Sequence, residues 1–125
     1  KKDWAGSAFY PPTILTGVTD LMRIFNEEIF GPVVTVTSFA TEQEAVALAN
    51  QTEYGLAAYL FTQDRARIRR VAGQLDFGMV GINDAAISNP AAPFGGVKQS
   101  GFGREGSKYG LDDYLSLQYR CLGGY

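Results

Sequence analysis

Leu56-Ala57-Ala58-Tyr59-Leu60-Phe61, then Ile68, Val71, Ala72 and Leu75, then Met79-Val80-Gly81-Ile82: residues 56–82 decide the fold. The two outer runs are short, apolar and suited to a pleated, packed surface, which predicts strands. The four residues between them fall at i, i+3, i+4 and i+7, one buried stripe of a helix, and Asp64 stands where that helix wants its N-cap. Arg65, Arg67, Arg69 and Arg70 occupy most of the remaining helix surface. Four arginines so close invite a phosphate-binding reading, but on a slightly acidic chain they are read as a solvated face. A strand, a helix and a strand joined this tightly imply parallel strands and a right-handed crossover. Upstream, Val33-Val34-Thr35-Val36-Thr37-Ser38-Phe39 is dominated by β-branched residues and reads as another strand. Thr41-Glu42-Gln43-Glu44 then forms a capping box, opening a helix with Ala45, Val46, Leu48 and Ala49 on one face that ends near Gln51. The expectation is an α/β fold with a parallel βαβαβ core.

Length and composition bound the rest. The chain has 125 residues, enough for one domain at most. Lys+Arg number 11 and Asp+Glu 13, so no charge excess points to nucleic acid or an anionic membrane. No apolar run approaches the roughly 20 residues of a membrane span. Lys1-Lys2-Asp3-Trp4 does not lead into a signal-peptide hydrophobic segment. A cytoplasmic protein is expected, without a nucleic-acid or membrane partner. There is no histidine, so these residues alone build no Ser-His-Asp triad and no His-ligated metal site. A single cysteine, Cys121, excludes an internal disulfide and a CxxC site.

Working outward, residues 1–25 are mixed, with turn signals at Gly6, Pro11-Pro12 and Gly17 and a short apolar stretch at Thr13-Ile14-Leu15. Residues 83–98 form a long irregular segment with Pro90, Pro93 and Gly95-Gly96. It leaves the C-terminal end of a parallel strand, where open α/β sheets hold their ligands. A short helix is expected around 103–109 with Gly110 as its C-cap. Finally Leu115, Leu117, Tyr119 and Cys121 alternate with Ser116, Gln118 and Arg120, the period of a half-buried strand. Such a strand needs a sheet to join, in this chain or in another subunit.

Few residues are equipped for chemistry. Gly101, Gly103 and Gly106 satisfy GxGxxG, but no strand leads in and no acid stands about 20 residues on, as a dinucleotide fingerprint requires. Glu27 and Glu28 are adjacent carboxylates that as strand neighbours point to opposite faces, so they read first as surface acids. Glu28, just before Ile29-Phe30-Gly31-Pro32, is the better candidate for a ligand hydroxyl. Cys121 has no histidine or helix N-terminus to lower its thiol pKa and reads as structural.

At this point a resemblance enters. Glu27-Glu28-Ile29-Phe30-Gly31-Pro32-Val33 resembles a signature of the NAD(P)-dependent aldehyde dehydrogenases. The likeness continues through Ala49-Asn50, Tyr54-Gly55-Leu56-Ala57-Ala58, Gly78-Met79-Val80-Gly81-Ile82-Asn83, Pro93 to Gly101 and Gly103-Arg104-Glu105. The Ile87-Ser88-Asn89 loop, residues 104–110 and the Cys121-Leu122-Gly123-Gly124 ending look most like the succinate-semialdehyde dehydrogenase branch.

The resemblance implies that Glu28 bonds the nicotinamide ribose of NAD or NADP and that Phe30 packs near the nicotinamide. It implies that Phe94 lines the substrate tunnel and that Ser88 helps hold the substrate's distal carboxylate, the partner arginines lying upstream in the family. In the family a cysteine thiolate attacks the aldehyde and a glutamate-activated water releases the acid. The motifs carrying that cysteine and glutamate are not among these residues, so no catalytic residue is assigned here. The chain then reads as a C-terminal fragment. Residues 1–113 are the second half of the catalytic domain, and 114–125 are a strand through which subunits form a homo-oligomer. The implied activity is oxidation of succinic semialdehyde. The alternatives are another aldehyde, such as glutarate semialdehyde or an uncharged one, or a non-catalytic binding or assembly module.

Overall fold

In a computed structural model, which describes residues 6 and 8–124, the stretch that decided the fold is realised as a strand, a helix and a strand. The chain divides between Leu48 and Ala49 into two compact units, Lys1–Leu48 and Ala49–Tyr125. Lys1 to Trp4, where a signal segment was considered, and Tyr125 lie outside the described residues.

In the first unit β1 (Thr13–Thr16) pairs in parallel with β2 (Val33–Val36), Thr13 opposite Val33 and Thr16 opposite Val36. The connection between them carries the one-turn helix α1 (Arg23–Asn26). The expected strand 33–39 ends at Val36. Beyond it Thr37 turns its hydroxyl to the carbonyl of Val18 at 3.1 Å, and Val18 is one of the few buried apolar side chains. Helix α2 (Glu42–Asn50) opens with the capping box shifted by one residue at its return bond. The Glu44 amide donates to Thr41 Oγ1 at 3.2 Å, while the Glu44 carboxylate accepts from the amide of Ala40 at 2.7 Å. Val46 is buried on its inner face.

The second unit holds β3 (Tyr54–Gly55), β4 (Ala57–Leu60), α3 (Arg65–Ala72), β5 (Met79–Ile82) and β6 (Val97–Lys98). β4 and β5 are parallel, Ala57 opposite Met79 and Leu60 opposite Ile82, with α3 as the crossover. β3 and β6 form a short antiparallel pair, Tyr54 opposite Lys98. The α/β class and its parallel strands are as expected, and β4–α3–β5 is the second of the two expected βαβ units. β2 differs, because it takes its parallel partner from upstream, in β1. The four residues of β1 were too few to show a period.

One expectation near the end is corrected. No helix forms over 103–109, because Gly103, Gly106 and Ser107 sit at φ +74°, +67° and +50°, a hand that a right-handed helix excludes. A 3-10 turn at Tyr109–Tyr114 follows instead, so Gly110 lies inside it rather than capping a helix. Residues 115–124 belong to no ladder, and the alternation expected to bury one face leaves both exposed: Leu115, Leu117 and Tyr119 are 67%, 105% and 88% accessible. The cause is the lack of a partner edge among the described strands. No helix among the described residues is long and apolar enough to cross a membrane.

Helix α3 depends visibly on its cap. Asp64 Oδ1 accepts from the amides of Ala66 at 2.8 Å and Arg67 at 3.1 Å. These amide bonds, that of Arg67 foremost, hold the Asp64 carboxyl below the usual carboxylate range. A depressed folded value means the contribution is complete above the unfolded value and is lost as pH falls through the folded one. Asp64→Ala is expected to lower the melting temperature at neutral pH and to flatten its fall below about pH 4. Asp64→Asn, which caps at every pH, is expected to flatten the acid fall alone. Thermal melts followed by circular dichroism across pH test both outcomes.

Candidate functional site

Glycines let the second unit bring its loops together. A Cβ on Gly78, just before β5, would meet the backbone carbon of Gly95 and the Cα of Gly96 at 2.8 Å. One on Gly95 would meet the carbonyl oxygen of Gly103 at 2.7 Å, and one on Gly55 the carbonyl of Asp76 at 2.9 Å. Real Cβ atoms do not approach backbone so closely, so three chain segments stack here only because side chains are missing. Ser100 ties the stack to β3 by accepting from the Gly55 amide at 2.9 Å. Lys98, at φ +56°, donates to Thr52 O at 3.1 Å and lies 5.3 Å from the ring centre of Phe77.

On this base Phe94 is clamped. Its amide donates to Glu105 O at 2.9 Å and the Glu105 amide donates to Phe94 O at 2.7 Å, a two-way bridge. Arg104 braces the turn that follows, Nη1 donating to Gly96 O at 2.8 Å and Gly103 O at 2.6 Å. That nitrogen of the guanidinium is therefore committed to carbonyls. Across from Phe94, the Ser107 amide donates to Pro90 O at 2.9 Å. Gly106, at φ +67°, lets the two segments approach, since a Cβ there would lie 3.0 Å from Pro90 O.

Between these segments is a cavity of about 250 Å³ lined by Ser88, Asn89, Pro90, Ala92, Phe94, Glu105 and Gly106. Phe94 also borders a second hollow of about 530 Å³, with Phe102, Arg104, Asp113 and Tyr114 on its walls. The structure thus brings together two of the four expected site residues, Ser88 and Phe94. Glu28 and Phe30 lie in the first unit. There Glu27, at the end of α1, forms a two-point ion pair with Arg23 at 2.9 and 3.0 Å. That bond draws the Glu27 carboxyl down and the Arg23 guanidinium up from their ordinary values. Neither glutamate is in a strand, so the opposite-face argument does not apply. Glu27 is occupied, whereas Glu28 is exposed and has no bonded partner among the described residues. The ring of Phe30 is 93% accessible.

Chemically, the cavity offers a hydroxyl from Ser88, an amide from Asn89, an aromatic wall from Phe94 and one carboxylate from Glu105. No cation lines it among the described residues. Glu105 and Gly106 went unnoticed in the sequence as wall residues. Their signal was present in the GxGxxG match, whose glycines at 101, 103 and 106 all take positive φ and make turns.

The model of the aldehyde dehydrogenase family matches residues 1–119, and the chain belongs to that family. It is 56% identical over 119 residues to a 3-sulfolactaldehyde dehydrogenase of Pseudomonas putida, covering 95% of this chain and 24% of that protein. It is 55% identical over 124 residues to the mitochondrial succinate-semialdehyde dehydrogenase of Homo sapiens, covering 99% of this chain and 23% of the other. The crystal structure of succinate-semialdehyde dehydrogenase from Burkholderia pseudomallei superposes with a TM-score of 0.88 at 57% identity, over 94% of this chain and 24% of that one. A betaine aldehyde dehydrogenase from Staphylococcus aureus, in complex with NAD+, gives 0.83 at 52% identity over 86% and 22%. The chain therefore spans about a quarter of the length of these relatives.

Gly78→Ala puts a methyl group into backbone that has nowhere to go, at no less than the ~1–3 kcal/mol of an overpacked core position. The expected outcome is a lowered denaturation midpoint with the slope preserved, read by urea titration.

Proposed function

We propose that this chain is part of an NAD(P)-dependent aldehyde dehydrogenase that oxidises succinic semialdehyde to succinate. In that reading it supplies a wall of the substrate cavity and one contact to the cofactor ribose. The observation that carries the reading is the shared cavity of Ser88 and Phe94. Aldehydes with an acidic tail suit it, since the Ser88 hydroxyl donates to a carboxylate oxygen while the Phe94 ring packs along the carbon chain. The Glu105 carboxylate opposes an anion in the same cavity. Recognition of the acid therefore needs cations from outside these residues, as the family resemblance implies for upstream arginines. The relative named for 3-sulfolactaldehyde supports a second reading, an aldehyde carrying a sulfonate, because the same neutral donor serves either anion.

The residues expected at the cofactor fit a nicotinamide dinucleotide. Glu28 presents an unpaired carboxylate able to accept from ribose hydroxyls, and Phe30 presents an almost fully exposed ring to a flat partner. When bound, the cofactor takes the hydride from the substrate. The Arg23–Glu27 pair holds one acid away, so that a single carboxylate meets the ribose. The nucleophile and the water-activating acid are assigned to the remainder of the enzyme, so the 125-residue chain alone is expected to produce no NAD(P)H from succinic semialdehyde. Residues 114–125 are proposed to pair with a sheet of another copy, a reading supported by the exposed alternating side chains of Leu115, Leu117 and Tyr119.

In the full-length enzyme Ser88→Ala is expected to raise KM for succinic semialdehyde roughly tenfold, the size of one hydrogen bond to a charged group, with little change for butanal. An equal change for both substrates rejects the carboxylate role of Ser88. Glu28→Gln is expected to raise KM for the dinucleotide, measured by steady-state absorbance at saturating aldehyde.

A further inference from the structure

Asn83 is the last residue before the loop that carries Ser88, and it is built unlike its neighbours. Its backbone is left-handed at φ +55°, a conformation that side chains other than Asn, Asp and Gly tolerate poorly. Its amide still follows the sheet, donating to Leu60 O at 2.9 Å, one rung beyond the pairing of Leu60 with Ile82. Its side chain then imitates a peptide group. Oδ1 accepts from the amide of Thr62 at 2.8 Å, and Nδ2 donates to Thr62 O at 2.9 Å. Thr62 in turn accepts at Oγ1 from the amide of Asp64, the cap of α3, at 3.3 Å.

The main chain therefore leaves the sheet at Asn83 while its side chain extends the sheet. Just beyond, the loop doubles back over β5. A Cβ on Gly81 would meet Asp84 O at 2.5 Å and Ile87 Cγ2 at 2.9 Å. Ile87 is the residue before Ser88, and two residues on, Pro90 is fastened by the Ser107 amide. Loop 84–93 is thus held at its far end by backbone bonds and at its near end by the Asn83 amide.

We propose that Asn83 is a positioning residue that sets the departure of loop 84–93 from β5 and thereby holds Ser88 at the cavity wall. The proposal rests on the substrate reading of that cavity, and it is tested so that the two fail separately. Asn83→Gly keeps the left-handed backbone and removes both side-chain bonds. In the full-length enzyme it is expected to speed amide hydrogen exchange across 84–93 by about tenfold or more, the equivalent of ~1.4 kcal/mol, with α3 unchanged. Unchanged exchange in the loop overturns the proposal, and so does a uniform increase that includes α3. The same variant is expected to raise KM for succinic semialdehyde but not for butanal, with kcat preserved and no further effect from adding Ser88→Ala. Additive effects of the two substitutions overturn the link to Ser88. If Ser88→Ala alone leaves the preference for the acid unchanged, the substrate reading falls, and the exchange measurement still decides Asn83. Asn83→Asp retains the acceptor half of the clamp and serves if the glycine variant does not fold. It is expected to loosen the loop while leaving α3 protected, and equal exchange to the parent counts against the clamp.

Discussion

Contact between backbones at Gly78, Gly95 and Gly103 is the constraint on which the second unit depends. Three segments distant in sequence lie at separations that no side chain permits. Once they are stacked, the remaining bonds are short-range consequences. Phe94 and Glu105 exchange two hydrogen bonds because their strands of backbone are already side by side. Arg104 reaches two carbonyls that the stack presents in one direction. The cavity lies where the stack ends and the loops diverge, so its shape is inherited from main-chain geometry more than from the packing of large side chains.

Charge is arranged with a similar economy. Arg23 occupies Glu27 and leaves Glu28 exposed, while Arg104 is committed to peptide oxygens and Lys98 to Thr52 and Asp76. Arg23, Arg104 and Lys98 thus each have partners within their own unit. What the candidate site residues present is acceptors and neutral donors, namely the Glu28 carboxylate, the Ser88 hydroxyl and the Asn89 amide.

Local order was legible in the sequence where the deciding interactions were local. The stripe from Ile68 to Val71 and the Asp64 cap are written within a few residues and fold as written, and the Thr41–Glu44 box does so but for its return bond, which reaches Ala40. Order decided by a remote partner was not legible. β1 exists because β2 offers it a parallel edge, and β6 because Tyr54 and Gly55 lie opposite. At 115–121 the pattern was legible and its partner is not among these strands, so alternation did not produce a buried face. Likewise the site was half readable. Ser88 and Phe94 came from the resemblance and meet in one cavity, whereas Glu105 and Gly106 join them through turns whose glycines looked like a phosphate motif.

The division of labour between stack and lining bears on how such a segment changes over generations. The stacked glycines admit almost no substitution, because each alternative collides with main chain. The groups that face the cavity at 88, 89 and 92 hang from a loop fastened at its two ends and carry none of that collision cost. Change is therefore channelled: the scaffold resists substitution, while the Ser88 side chain, with no collision against main chain, can be replaced more readily. A lineage built this way can change what lines the cavity without passing through an unfolded ancestor.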